Sequence, residues 1–169
     1  MESNDAQSFV DKLRELVSRG AVLVFLGNEL RGDDATGLLI GRRLVEKFGE
    51  SRNIFVCEMG LEVCSVDLRS LNPKIVVLVD AVMAPGLESG DIVLVPAESE
   101  EVYTPLSTHA IPKTLILKSL GVEEAWILGI QVQNIGIGDE MTPRVREAVE
   151  KLTSILETVL RDAGSKAKA

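Results

Sequence analysis

The stretch AVLVFLGNELRGDDATGLL, residues 21–39, passes from an apolar run into a turn that holds two adjacent carboxylates between glycines. The run Ala21–Leu26 is apolar throughout, which is typical of a strand that is buried on both faces of a sheet. Apolar residues then recur at helical spacing over Leu38–Phe48. The stretch therefore predicts a strand, a turn and a helix in succession, with Asp33 and Asp34 at the turn.

The same alternation continues along the whole chain. Short runs rich in Val, Ile and Leu predict strands, and apolar residues spaced by three or four predict helices. The predicted strands cover 21–26, 53–57, 75–79, 91–95 and 125–132, and the predicted helices cover a first segment through 9–17, then 38–48, 61–71, 112–120 and 143–161. Strands that alternate with helices predict an α/β fold, a three-layer α/β/α sandwich around a mostly parallel, five-stranded twisted sheet.

Length and charge narrow the class of protein. The chain has 169 residues, so we expect one domain over 1–169, with 164–169 as a disordered tail. The 26 acidic and 18 basic residues give a net charge of −8, which argues against nucleic acid or an anionic membrane as a partner. No apolar run approaches the roughly 18–20 residues of a membrane span, and the N-terminus has no signal-peptide pattern. We therefore expect a cytoplasmic protein.

The two cysteines, Cys57 and Cys64, are too few for a disulfide framework. Their spacing is not a usual spacing for metal ligands either. We therefore expect both to be small, buried packing residues.

Acidic residues and the one histidine follow the predicted strands. Asp33 and Asp34 follow the first strand, Asp80 directly follows the third, and His109 lies in the loop after the fourth. In a parallel α/β sheet, ligands bind beyond the carboxyl ends of the strands, so the predicted topology gathers these residues at one edge. Asp34, Asp80 and His109 would together make a mixed oxygen and nitrogen metal site with open positions.

Each of these residues also has an ordinary explanation when it is taken alone. Asp34 could be an acid that favours the first turn of a helix, Asp80 could form a turn, and a single histidine is usually an ordinary surface or core residue. Asp33 could be a helix N-cap or a general base for water.

Other chemistries have weaker support. The spacing of Gly27 and Gly32 does not fit a dinucleotide-binding loop, and the neighbouring acids would repel a pyrophosphate. The chain has no G-K-[ST] sequence for a Walker loop and no G-x-S-x-G nucleophile elbow. The turn that holds Asp33 and Asp34 therefore suits a cation rather than a phosphate.

A series of short motifs runs through most of the chain. They are Gly27-Asn28, Gly32-Asp33-Asp34-Ala35 with Gly37, Val79-Asp80-Ala81, Ser107-Thr108-His109, Gly129-Ile130-Gln131, and Met141-Thr142-Pro143 with Val145. In order and spacing, over residues 22–160, the chain resembles the hydrogenase maturation endopeptidases. Within that family it most resembles the member that processes the hydrogenase of formate hydrogenlyase. One departure is Phe25, where the family usually has glycine.

The resemblance implies a phosphorylase/hydrolase-like fold and a protease, an aspartic-type or metal-dependent endopeptidase. Its partner would be the precursor of a nickel–iron hydrogenase large subunit, whose C-terminal extension it would remove after nickel insertion. Asp34, Asp80 and His109 would be its metal-binding and catalytic residues. The nickel would be supplied by the substrate, although other divalent metals could bind the same groups in the purified protein.

Two alternatives stay open from the residues alone. The first is a non-catalytic, flavodoxin-like module that binds a metal or a partner. The second is a metal-dependent hydrolase of small molecules.

Overall fold

The structure is a computed structural model that describes residues 2–102 and 111–167. Helices and strands alternate along most of the chain, as the apolar pattern predicts. The helices are α1 (Glu2–Ser18), α2 (Thr36–Phe48), α3 (Leu61–Arg69), α4 (Lys113–Ser119) and α5 (Pro143–Ala167), and the strands are β1 (Val22–Phe25), β2 (Ile54–Val56), β3 (Ile75–Val82), β4 (Ile92–Pro96) and β5 (Glu124–Gln131). A short 3-10 helix, Gly32–Ala35, lies between β1 and α2; we call it the acidic turn.

The five strands form one sheet in the order β2-β1-β3-β5-β4. Neighbours pair in parallel except β4, which is antiparallel to β5. Helices cover both faces, since the apolar residues of α1, α2 and α5 pack on one side and those of α3 and α4 on the other. The predicted class, a three-layer α/β/α sandwich with a mostly parallel sheet, is confirmed.

The direction of β4 corrects one step of the sequence argument. Ile92 at the start of β4 pairs with Ile130 near the end of β5. Since β4 runs antiparallel to the other strands, its carboxyl end lies at the opposite end of the sheet from the carboxyl ends of β1 and β3. The loop that contains His109 does not begin where the predicted topology placed it. By Lys113 the chain has returned to the carboxyl ends of the parallel strands, because Lys113 contacts Asp80.

The central strand, β3, explains why a continuous apolar run is needed there. All eight of its residues are buried. Val77 and Val79 pack with α1, α2 and α5, whereas Val76 and Leu78 pack with α3 and α4. Because successive side chains point to opposite faces, a strand covered on both sides has no polar face.

Most element boundaries differ from the predicted ones by a few residues, and two of the differences change where a predicted feature lies. Strand β3 continues to Val82, so Asp80 lies inside the strand rather than after it. Helix α5 continues to Ala167 and includes part of the segment 164–169 that the composition predicts to be a tail.

Phe25, the departure from the family pattern, lies in the core. Its side chain is fully buried among the residues of the α2 face. A Cβ atom at Gly41 of α2 would collide with the Phe25 ring, so the glycine provides the space that the ring occupies. The large residue is therefore accommodated in the helix layer and leaves the turn after β1 unobstructed.

Cys57 and Cys64 form a disulfide bond, with their Cα atoms 5.8 Å apart. Cys57 directly follows β2 and Cys64 lies in the first turn of α3. The expectation that the two cysteines are buried is confirmed, and the expectation that they are unpaired is wrong. The intervening segment turns back on itself, so that cysteines separated by seven positions meet.

Among the residues described, no helix has the length and apolar character needed to cross a membrane.

Candidate functional site

A cleft of about 610 Å³ lies at the carboxyl edge of the sheet. It is placed at the point where the strand connections change direction, because the connection after β1 passes through α2 on one face and the connection after β2 passes through α3 on the other. Such a switch point is the usual ligand site of an open α/β sheet. The cleft is lined by Leu26, Gly27, Asn28, Glu29, Leu30, Arg31, Asp34, Leu38, Arg42, Glu58, Met59, Gly60, Leu61, Glu62, Asp80 and Lys113.

Asp33 and Asp34 have different surroundings although they are adjacent in the acidic turn. Asp33 is fully buried. Its carboxylate accepts four hydrogen bonds, from the backbone N–H groups of Gln133, Asn134 and Thr142 and from the Thr142 hydroxyl. Asp33 is therefore not the N-cap of α2, which is Ala35. It is also not among the described residues that line the cleft. It joins the turn to the segment between β5 and α5.

Asp34 is held in place by the backbone of the same turn. Its carbonyl oxygen accepts a hydrogen bond of 3.0 Å from the Asn28 N–H, and its own N–H donates to the Arg31 carbonyl at 3.0 Å. A Cβ atom at Gly27 would meet the Asp34 carbonyl oxygen, so only glycine allows this close approach. The Asp34 side chain faces the cleft.

Asp80 reaches the cleft because β3 extends beyond β1. The last paired residue of β1, Phe25, lies opposite Val79, so Asp80 is the first residue of β3 without a β1 partner. One carboxylate oxygen accepts a hydrogen bond from the Ala81 N–H at 2.8 Å. The other accepts a hydrogen bond of 2.7 Å from the ammonium group of Lys113.

The charges of the two carboxylates affect each other. Burial, together with repulsion from Asp80, raises the pKa of Asp34 from 3.8 to about 7, although the positive charges of Lys113 and Arg31 oppose the rise. Asp34 is therefore partly protonated at neutral pH. A divalent cation between the two carboxylates would remove this repulsion.

The fit to a metal is incomplete on the part of the chain that the structure describes. Asp34 and Asp80 line the same cleft, but over residues 2–102 and 111–167 no group of three or more potential metal ligands is found. His109, the third ligand predicted from the sequence, lies outside the described residues. The two carboxylates are oxygen donors that divalent ions accept, and Asp80 already holds a cationic group. The donor chemistry thus suits a divalent ion.

The sequence argument singled out none of the three cationic residues, Arg31, Arg42 and Lys113, among the described residues that line the cleft. Lys113 contacts Asp80, and the Arg42 guanidinium bridges Glu29 and Glu58, at 2.8 and 2.9 Å, across two walls of the cleft. One signal for Lys113 is present in the sequence: it follows the proline that starts a helix, where a positive side chain is unfavourable for the helix dipole.

The disulfide bounds the wall of the cleft that Arg42 contacts. The lining residues Glu58–Glu62 lie between Cys57 and Cys64. The bond therefore closes this wall into a short loop.

A second hollow, of about 590 Å³, lies near the ends of α1 and α5. Its described lining residues include Phe48, Asn53 and Lys166 but no acid, cysteine or histidine. The chemistry-bearing side chains therefore favour the first cleft as the functional site.

Comparison with known proteins identifies similar chains. A family model described as hydrogenase maturation protease matches residues 39–159. The Hydrogenase 3 maturation protease of Escherichia coli strain K12 is 30% identical over 141 residues, which cover 80% of this chain and 88% of that protein. A putative hydrogenase maturation protease of Methanocaldococcus jannaschii is 26% identical over 167 residues, which cover 86% of this chain and 96% of that protein.

The fold comparison agrees with the sequence comparison. The crystal structure of a NiFe hydrogenase maturation protease from Thermococcus kodakarensis KOD1 matches with a TM-score of 0.66 at 26% identity, over 83% of this chain and 92% of that chain. The solution structure of an endopeptidase from Escherichia coli matches with a TM-score of 0.64 at 28% identity, over 79% of this chain and 86% of that chain.

Proposed function

The chain belongs to the hydrogenase maturation protease family, and on that premise we propose that it is an endopeptidase that removes the C-terminal extension from the precursor of a nickel–iron hydrogenase large subunit. The observation that carries the proposal is the pair of carboxylates, Asp34 and Asp80, from separate elements at the switch point of the sheet. The relative from Escherichia coli, named a Hydrogenase 3 maturation protease, supports the class of substrate.

The proposed site recognises nickel that is already bound in the precursor. Asp34, Asp80 and His109 provide two oxygen ligands and one nitrogen ligand to that ion, while the precursor provides the others. Chain connectivity is compatible with this set, because four residues span at most about 14 Å, and Lys113, four positions after His109, contacts Asp80. Processing then depends on metal insertion, because an unloaded precursor cannot make these bonds.

The residues of the cleft also suit the hydrolysis of a peptide bond. Such a reaction requires a water molecule to lose a proton and the leaving amine to gain one. In the metal-free cleft Asp34, with a pKa of about 7, can hold or release a proton at neutral pH, and it would give up that proton when it binds the metal ion. A metal ion held by Asp34, Asp80 and His109 would act as a Lewis acid toward the peptide carbonyl. We therefore class the protein as an aspartic-type, metal-dependent endopeptidase.

The test is incubation of the purified protein with a nickel-loaded large-subunit precursor, followed by measurement of the precursor mass. The wild-type protein should remove a fixed C-terminal peptide, and Asp34→Ala, Asp80→Ala and His109→Ala should each abolish the loss of mass. The matched control is Asp67→Ala, because Asp67 is exposed on α3 and does not line the cleft. It should process the precursor like the wild-type protein.

Two outcomes would contradict the proposal. Removal of the peptide at the native rate by Asp80→Ala would show that the carboxylate pair is not the site. Association with the precursor without any change of mass would indicate the non-catalytic binding module instead.

A further inference from the structure

The cleft contains a positively charged side chain of its own, the ammonium group of Lys113. We propose that Lys113 is an internal counter-cation of Asp34 and Asp80, which a divalent metal ion must displace before it can bind both carboxylates. The inference rests on the proposed function, because it concerns how that site takes up its metal.

The contact between Lys113 and Asp80 differs from the surface ion pairs. The two groups are 2.7 Å apart, and the Asp80 side chain is only 6% exposed. By contrast, Lys118 and Glu98, an ion pair at 3.3 Å, are 65% and 73% exposed. Water screens an exposed pair but has little access to Asp80. Lys113 is therefore the group that neutralises Asp80 in the structure.

The position of Lys113 is not explained by its helix. It is the first residue of α4, where the helix dipole disfavours a positive side chain. Lys118, in the last turn of the same helix, occupies the position that the dipole favours. The favourable partner of Lys113 is thus the carboxylate across the cleft, not α4.

Displacement of Lys113 requires no change in the fold. A lysine ammonium lies at the end of a flexible four-carbon chain, and this side chain is still 29% exposed. It can rotate toward solvent when a stronger cation arrives. While the ammonium occupies Asp80, the affinity for a metal ion is lowered in proportion to the fraction of molecules in which the carboxylate is free.

This competition lowers the affinity of the site for metal ions that are free in solution. A divalent ion from solution must displace the ammonium with the energy of the cleft ligands alone. An ion held in the precursor arrives with the additional contacts between the two proteins. Lys113 therefore favours metal that is presented by the substrate over metal that is free in solution.

The test is titration calorimetry of the purified, metal-free protein with NiCl2 in the absence of precursor. If Lys113 occupies Asp80 in about nine molecules out of ten, Lys113→Met should bind Ni²⁺ about tenfold more tightly than the wild-type protein. Lys113→Arg, which keeps the charge, should stay close to the wild-type affinity. The matched control is Lys118→Met, which removes an exposed lysine from the same helix and should have no effect.

A second measurement uses the processing reaction. Free Ni²⁺ added to the assay should inhibit Lys113→Met at roughly tenfold lower concentration than it inhibits the wild-type protein, because the ion fills the cleft before the loaded precursor does. Thermal unfolding establishes that each variant is folded. Lys113→Gln is the second neutral variant, for use if Lys113→Met does not fold.

Failure of this inference is distinct from failure of the proposed function. If the neutral variants bind Ni²⁺ no more tightly than the wild-type protein, or if neither binds it measurably, the counter-cation role is overturned, while removal of the precursor peptide by the wild-type protein would still stand. Equal tightening by Lys118→Met would also overturn it, because the effect would then come from overall charge.

Discussion

Asp34 combines two properties that oppose each other. Its position near Asp80 gives the cleft two carboxylates, yet burial and repulsion disfavour the charged form of Asp34. The backbone contacts of the acidic turn hold the residue there regardless of this cost. A site that is unfavourable without a cation is well suited to binding one, so the local destabilisation is consistent with a functional role.

The raised pKa of Asp34 predicts how stability depends on pH. The folded state raises this pKa from 3.8 to about 7, so the folded protein binds the proton more tightly than the unfolded chain. The resulting penalty is absent below the unfolded pKa, grows as the pH rises toward about 7, and is complete above it. Asp34→Asn lacks the penalty, so at pH 8 it should melt at a higher temperature than the wild-type protein. The increase should be about 2–4 °C for each kcal/mol of unfolding free energy that the penalty costs the wild-type protein.

The measurement is thermal unfolding of both proteins between pH 4 and pH 8. The difference in melting temperature should shrink toward zero at the acidic end. Asp67→Asn on α3 is the control and should show no such dependence. A difference that stays the same at every pH would contradict the raised pKa.

The unit formed by β1, the acidic turn and α2 places a helix directly against strand backbones. Gly37, in the first turn of α2, lies so close to the sheet that a Cβ atom there would collide with the carbonyl oxygens of Leu26 and Val79. These two residues belong to the neighbouring chain segments that end at the cleft, and they are joined by a hydrogen bond of 3.0 Å from the Leu26 N–H. The lack of a side chain at Gly37 therefore allows the start of α2, and with it the acidic turn, to pack directly against the strand backbones.

Gly37→Ala should lower the free energy of unfolding by about 1–3 kcal/mol, because α2 must move away from the sheet. The variant should also process the precursor more slowly, since Asp34 moves with the helix. Urea unfolding measures the first effect and the mass assay the second. Gly164→Ala is the matched control, because this helical glycine of α5 has nothing near its Cβ position. It should be neutral or stabilising by up to about 1 kcal/mol. Equal effects of both variants would show that close packing at Gly37 is not the cause.

At the scale of the whole molecule, the sequence predicts what depends on local pattern. The buried strands and amphipathic helices follow from periodicity, and Asp34 and Asp80 could be selected because each follows a predicted strand in the sequence. The parts that depend on distant chain segments could not be predicted. The antiparallel direction of β4 and the contact of Lys113 with Asp80, 33 positions away, depend on the assembled sheet. The Cys57–Cys64 bond is closer in sequence but depends on how α3 begins.

Asp33 is the strongest case of such a long-range role. Its carboxylate joins the acidic turn, near the start of the fold, to residues 100 to 109 positions later, between β5 and α5. No local pattern distinguishes this residue from Asp34. The structure therefore predicts that Asp33 stabilises the whole molecule and supports the site indirectly, in contrast to a general base that acts on water.

Asp33→Asn separates these two roles. The amide group would place its own N–H hydrogens against backbone donors, so the free energy of unfolding should fall by about 2–4 kcal/mol. The backbone amides of Gln133, Asn134 and Thr142 should exchange with deuterium faster than in the wild-type protein. Asp139→Asn is the control, because Asp139 is exposed in the same segment and accepts a local hydrogen bond from Gly136; it should leave the global stability within about 0.5 kcal/mol. A loss of processing in folded Asp33→Asn without any change in stability or exchange would instead assign Asp33 to the chemistry of the cleft.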